Sequence, residues 1–397
     1  MKSILKPALI FSASIIAISI MALTMPKNKK HQDTKFETQK KQETPEVSNQ
    51  KIQAAILLDV SSSMDGLIEQ AKAQLWNMVN TMGKAQCNGK TPKIEIALYE
   101  YGRPDDGEQN GYIKQISGFT TDLDQLSKQL FSLNTDGGDE YCGKVIFTSL
   151  NQLTWDSANT DYKVIFIAGN ESFLQGDLHY KKACTAAKEK GVIVNTIYCG
   201  DRMQGIREHW NLNTECGNGS YTNIDQNASI EEIPTPYDST ILTLNEQLND
   251  TYISYGYAGA AAKETQTKVD QLNYSVNKSV AVKRAEVKGK TKLYKNSNWD
   301  IVDASTDDAK FLEKVDKNTL PDSLRNKKPE ELKKIVEEKK NQRIAIQAEI
   351  GKTAAKRETY IATEKAKAAT KNNTATLETE IEKIIKKQAG LFNMVIQ

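Results

Sequence analysis

Apolar runs and polar breaks alternate regularly along the first half of this chain. Residues 52–59, IQAAILLD, form a short and nearly continuous apolar run, the pattern of a strand buried on both faces. A helix-period segment follows over Leu67–Met82, and KIEIALYEY (93–101) alternates residue by residue as a strand does. Further strands are predicted at GYIKQI (111–116), KVIFIA (163–168), VIVNTIY (192–198) and SYTNI (220–224). Helical spacing recurs between them over Asp122–Leu133, Lys144–Trp155, Leu178–Lys190 and Met203–Glu215. Such alternation predicts an α/β fold over residues 51–237: a doubly wound, mostly parallel sheet with helices on both faces.

After Asp238 the pattern changes to helix throughout. Residues 238–328 predict a helical or mixed region, with helices over Ser239–Tyr255 and Lys263–Lys288 and a short element at Trp299–Val302. Pro329 opens a long charged stretch whose apolar stripe (Leu332, Ile335, Val336, Ile346, Ile350, Ile361) is thin. Leu377, Ile381, Ile384 and Ile385 mark a shorter helix after a break at Asn372–Asn373. Residues 329–397 thus predict a charged helical hairpin or a loose coiled coil, with the two helices packed mainly on each other.

The N-terminus is different again. Lys2 and Lys6 precede the uncharged run Ala8–Met25, and Lys27, Lys29 and Lys30 follow it. Residues 1–26 are therefore either a cleaved export signal or a retained membrane anchor, and both place the bulk of the chain outside the cytoplasm, periplasmic, extracellular or membrane-anchored. Residues 27–50, rich in Lys, Gln, Glu and Thr, hold too little apolar surface to fold and read as a disordered tether.

Charge sharpens the division. Lys+Arg and Asp+Glu nearly balance over the 397 residues, 53 against 51, which excludes a strongly basic nucleic-acid binder. Residues 51–240 nevertheless carry 16 basic and 25 acidic side chains, and residues 241–397 carry 29 and 22. The acidic α/β region and the basic helical region should attract, so part of Ser239–Lys288 is expected to dock on the α/β region.

The chemistry gathers where the first strand ends, in Asp59-Val60-Ser61-Ser62-Ser63. Ligands of parallel α/β sheets sit outside the carboxyl ends of the strands, at the topological switch point. A carboxylate and two hydroxyls on one tight turn are hard oxygen donors suited to Mg²⁺ or a similar divalent ion. The competing explanation is that Ser62 or Ser63 merely caps the next helix. Two more polar loops belong to the same end of the sheet: Asn134-Thr135-Asp136-Gly137-Gly138-Asp139-Glu140, and Ala168-Gly169-Asn170-Glu171 after the strand KVIFIA.

With these three loops in this order, residues 52–235 resemble the von Willebrand factor A (VWA) family. The tail also looks like that of exported or membrane-anchored bacterial proteins carrying such a domain. The resemblance implies a metal-ion-dependent adhesion site (MIDAS), in which the first loop gives an Asp and two Ser, the second a Thr and the third an Asp. Asp59, Ser61 and Ser63 match position for position. The second loop offers Asp139, with Thr135 as a rival, and the third offers Asn170 or Glu171 in place of the family's Asp. One economical explanation is that the second carboxylate has moved from the third loop to Asp139. The implied cofactor is a divalent cation, Mg²⁺ first, with Mn²⁺ or Ca²⁺ as alternatives; the implied partner is a protein presenting an acidic residue.

Other chemistries find less support. Gly138–Lys144 satisfies G-x-x-x-x-G-K, but Val145 replaces the metal-holding Ser or Thr, and Asp139 and Glu140 would repel phosphate. Serine hydrolysis needs a base, and the three histidines (His31, His179, His209) fall in the tether or beside helices. No paired C-x-x-C spacing suggests zinc; the five cysteines leave open a Cys142–Cys199 bridge or buried free thiols. The Lys-rich runs lack the aromatics that nucleic-acid binding uses. The expectation is a non-enzymatic binding protein that engages a protein partner through a cation. The alternative is a structural envelope protein assembled through its helical tail, in which the metal only stabilises the fold.

Overall fold

The computed structural model describes residues 50–212, 215–217, 219–225, 233–368 and 377–396. The apolar segment 1–26, the tether up to residue 49 and the Asn372–Asn373 break lie outside the described residues. No helix among the described residues is long and apolar enough to cross a membrane.

The elements run β1 (Lys51–Asp59), α1 (Asp65–Met82), β2 (Ala85–Gln86), β3 (Lys93–Tyr101), β4 (Ile113–Thr120), α2 (Leu123–Phe131), α3 (Cys142–Gln152), β5 (Tyr162–Gly169), α4 (Tyr180–Lys190), β6 (Ile193–Cys199), α5 (Arg202–Arg207) and β7 (Tyr221–Ile224). Helices follow: α6 (Asp238–Asn249), α7 (Gly259–Val276), α8 (Lys278–Lys288), α9 (Ile301–Asp307), α10 (Phe311–Lys314), α11 (Asp322–Arg325), α12 (Pro329–Ala368) and α13 (Leu377–Ala389). A two-residue strand, β8 (Val395–Ile396), pairs antiparallel with β2.

The main sheet has the order β4-β3-β1-β5-β6-β7, parallel except for β4. This is the expected doubly wound sheet. Chain order turns outward in both directions from β1, so the crevice beside its carboxyl end is the switch point. Period-two alternation sorts β1 between two cores. Ile52, Ala54 and Leu58 face α1 and α2, whereas Ala55 and Leu57 face α3 and α4.

The helical region covers the α1 face. Val269 of α7, Val280 and Val287 of α8, Ile350 of α12 and Ile381 and Ile385 of α13 join the same apolar core as α1. The described residues accordingly form one compact unit. The expected docking of Ser239–Lys288 is present: Arg284 of α8 reaches Asp124 of α2 at 2.7 Å and stacks over Trp76 of α1.

Three local expectations are corrected. The single helix expected over Lys263–Lys288 is broken at Asn277, whose extended backbone ends α7 and whose side chain accepts from the Val280 amide to start α8. The helix expected over Met203–Glu215 stops at Arg207, because His209 takes a left-handed conformation and Trp210 turns into the core. Helix α12 lies mainly on α6, α8 and α9, while α13 lies on α1, so the two do not pack chiefly on each other. Of the two alternatives left open for Cys142 and Cys199, the structure has buried free thiols, and the disulfide joins Cys184 of α4 to Cys216. Cys142 instead lies beside the Tyr101 hydroxyl, 3.8 Å away.

Candidate metal centre

Asp59 is the last residue of β1 and is fully buried. Val60 still donates to the Tyr101 carbonyl at 2.9 Å, and the short 3-10 turn over Ser62–Met64 then carries the chain off the sheet. Asp59 Oδ1 accepts the Ser61 amide at 2.8 Å, and the Ser61 and Ser63 hydroxyls lie 3.3 Å apart. The N-cap residues of the 3-10 turn and of α1, Ser61 and Met64, make no side-chain cap hydrogen bond.

The third loop closes one side. Asn170 donates from Nδ2 to Ser63 Oγ at 3.2 Å. Glu171 is held by Gln175 at 3.0 Å, and its carbonyl accepts the Trp210 indole at 2.6 Å. The second loop closes the other side. The Asp136 amide donates to the Val60 carbonyl at 2.8 Å, and the Glu140 amide donates to Gln175 Oε1 at 3.3 Å. The Thr135 hydroxyl is engaged by the Asp65 carboxylate.

Asp59, Ser61, Ser63 and Asn170 are thus brought together, as the sequence suggests. Asp139 is not placed with them. It stands exposed, and its charge acts on the phenols of Tyr112 and Tyr141. Its neighbour Glu140 is the buried one, and sequence reasoning passed over it. The missed signal is Gly102, at a φ of +92°. A Cβ there would lie 3.0 Å from Glu140 Cγ and 3.2 Å from Asp59 Oδ1, so the two carboxylate side chains close in around this glycine. Gly169 does the same on the far side, where a Cβ would meet Asp59 Oδ2 at 2.8 Å.

Electrostatics mark the group as unbalanced. Burial, against the pull of the Ser61 amide hydrogen bond, pushes the Asp59 carboxyl up to about 6. Burial, with the charges of Asp59 and Glu171, pushes Glu140 up to about 8. Among the described residues neither carboxylate has a Lys or Arg ion pair. Asp59 Oδ2 and Asn170 Oδ1 are buried without a hydrogen-bond partner.

These observations fit a hard divalent cation. Two orphaned acceptor oxygens, two facing hydroxyls and a cradle that a Cβ would fill are the donor set and the space that such an ion takes. Among the described residues no three His, Cys, Asp or Glu side chains converge as a metal site, so neutral oxygens would make up much of any shell. The histidines are elsewhere: His179 and His209 both lie against the ring of Tyr180.

No family model matches this sequence, and no curated protein does. Solved structures do. The α/β region is similar to von Willebrand factor A domains. The SpRpn10 VWA domain aligns over 44% of this chain and 88% of its own, at 15% identity and a TM-score of 0.33. Von Willebrand factor type A from Catenulispora acidiphila aligns over 44% of this chain and 39% of its own, at 12% identity and 0.34. Proximal thread matrix protein 1 from the mussel byssus, with a zinc-occupied MIDAS motif, aligns over 44% and 42%, at 11% identity and 0.33. This chain spans less than half the length of the mussel protein. At such identities the likeness says nothing of chemistry.

Proposed function

We propose that this chain is a non-enzymatic binding protein that recognises a protein partner through a divalent cation held at the crest of its α/β region. One observation carries the proposal: a fully buried aspartate whose outer oxygen has no partner, set between two glycines and beside two hydroxyls. Asp59, Ser61 and Ser63 would hold the ion, with Asn170 Oδ1 and the Glu140 carboxylate at its flanks. Asp139 becomes an outer contributor at most. When bound, the ion supplies an electrophilic coordination site that a partner's Asp or Glu completes, and Mg²⁺ suits this oxygen set.

The chain's own groups set the terms. Asp59 orients the first loop by holding the Ser61 amide, and Asn170 fixes the Ser63 hydroxyl. Two buried carboxylates without a counter-ion favour cation capture and proton release together. The N-terminal apolar segment would place this crest outside the cytoplasm, released or anchored.

Titration calorimetry and thermal melting with Mg²⁺, Mn²⁺ and Ca²⁺ test the cation. Binding heat and a rise in Tm, both abolished by Asp59→Ala in a folded protein, are expected. No response to any of the three ions would sink the proposal. A crosslinking pull-down from the envelope fraction, with and without chelator, tests the partner: capture that survives chelation would favour assembly through the helical region instead.

A further inference from the structure

The loop that follows β5 is held in place from outside the cation site. Asn170 faces the site: its Nδ2 donates to Ser63 Oγ, and its Oδ1 is one of the orphaned acceptors. Glu171, the next residue, is tied at two points. Its carbonyl accepts the Trp210 indole at 2.6 Å, and its carboxylate accepts Gln175 Nε2 at 3.0 Å. Gln175 Oε1 also accepts the Glu140 amide at 3.3 Å, so one side chain links the third loop to the second.

Trp210 is itself well anchored. It is fully buried, meets the rings of Phe173 and Tyr198 edge to face at 4.9 and 5.6 Å, and accepts the Thr196 hydroxyl of β6 on its carbonyl. The Phe173 amide adds a backbone tie to the Glu208 carbonyl at 3.0 Å. A few residues on, the Cys216 amide donates to the Leu212 carbonyl at 2.8 Å, and the Cys184–Cys216 disulfide joins this turn to α4. An indole N–H is a donor only, so Trp210 cannot be a ligand. A buried donor spent on the carbonyl beside a ligand fixes where that ligand stands.

We infer that Trp210 and Gln175, acting through Glu171, are positioning residues that fix the third loop of the cation site. This rests on the cation-mediated function proposed above and adds what decides how strictly its ligands are placed. Mg²⁺ demands octahedral geometry at about 2.0–2.1 Å, whereas Ca²⁺ accepts a more adaptable shell at about 2.3–2.6 Å. A fixed loop therefore serves Mg²⁺ more than Ca²⁺, and loosening it should be felt mainly by Mg²⁺.

Titration calorimetry of the full chain with Mg²⁺ and with Ca²⁺ tests this in Trp210→Phe and Gln175→Met. Phenylalanine keeps a ring in the apolar pocket and removes the N–H that holds Glu171. Mg²⁺ affinity should fall about tenfold in Trp210→Phe and Ca²⁺ affinity by no more than about twofold. Gln175→Met should shift the ratio of the two affinities in the same direction by less. A merely structural role for Trp210 would lower Tm in chelator and leave that ratio unchanged. An unchanged ratio in Trp210→Phe, or a larger loss for Ca²⁺, would overturn the inference, and the cation site would stand as long as Mg²⁺ still binds. A wild-type chain that binds neither ion removes both. If Trp210→Phe fails to fold, Gln175→Met decides by the same ratio.

Discussion

Buried acids meet two different fates in this molecule. In the helical region each is matched by a buried arginine. Arg284 holds Asp124 and Asp270, Arg343 holds Asp300 and Asp303 at 2.7 Å each, and Arg357 holds Asp238 at 2.8 Å and Glu286 at 3.4 Å. Stacking reinforces two of them, with the Arg343 guanidinium 4.0 Å from the Tyr252 ring and Arg284 over Trp76. The Asp270 and Asp238 carboxyls are driven below the ordinary range by their charged and hydrogen-bonding partners, although burial still raises Asp303 and Glu286 despite their arginines. At the crest, Asp59 and Glu140 are buried with no such partner and are pushed the other way. The same chain therefore pairs the acids that hold its helices together, and pairs Glu100 at the sheet's open end with Arg103 and Lys114, but gives Asp59 and Glu140 no ion pair among the described residues. Unpaired buried carboxylates cost stability, and that cost is what a binding site gives up in advance of its ligand.

The largest effect should come from breaking an arginine pair. Arg343→Met should lower unfolding free energy by about 3–5 kcal/mol, read from denaturant midpoints, because Asp300 is left buried and uncompensated. A loss under about 1 kcal/mol would mean that the helical acids are no better served by their arginines than the crest acids are by water.

Next comes a pair of matched substitutions with opposite signs. Asp270→Asn should destabilise by about 3 kcal/mol, since Arg284 and Lys288 lose their counter-charge. Asp59→Asn in chelator at pH 7 should be neutral or stabilising by up to about 2 kcal/mol, because the folded chain disfavours that ionised carboxylate. Equal destabilisation by both would erase the distinction between the two regions.

Cation binding sharpens the contrast by a smaller amount. Mg²⁺ at a hundred times its dissociation constant should add about 2.7 kcal/mol, and Asp59→Asn should remove that gain. Asp59 at about 6 and Glu140 at about 8 both titrate above their ordinary values. In chelator, their contribution to stability is therefore complete below about pH 4 and is lost as pH rises through 6 to 8. The ion displaces these protons, so the Mg²⁺-dependent rise in Tm should be larger at pH 8 than at pH 5.5. A rise independent of pH would separate the ion from these carboxylates.

The finest test compares neighbours. Glu140→Gln should weaken Mg²⁺ binding more than Asp139→Asn, by calorimetry, since only Glu140 is turned inward beside Asp59. The reverse order would restore Asp139 as the ligand.

Sequence by itself determined the sheet. The apolar runs that become β1, β5 and β6 leave no alternative face to expose, and residue alternation assigns each side chain to one of two cores. It also determined the first loop, because Asp59, Ser61 and Ser63 lie within five residues and their geometry is local. Tertiary structure decided the rest. Asp139 and Glu140 are adjacent acids, and only the packing of Gly102 against the second loop selects which one turns in. The cysteine pairing depends on where the chain turns at His209, a left-handed residue that helical spacing conceals. The long helix α12 looks thinly apolar because Arg343 and Arg357 occupy its buried face, and their value lies in acids 40 to 119 residues away. Periodicity registers which residues are apolar; it cannot register a charge whose partner arrives from a distant part of the chain.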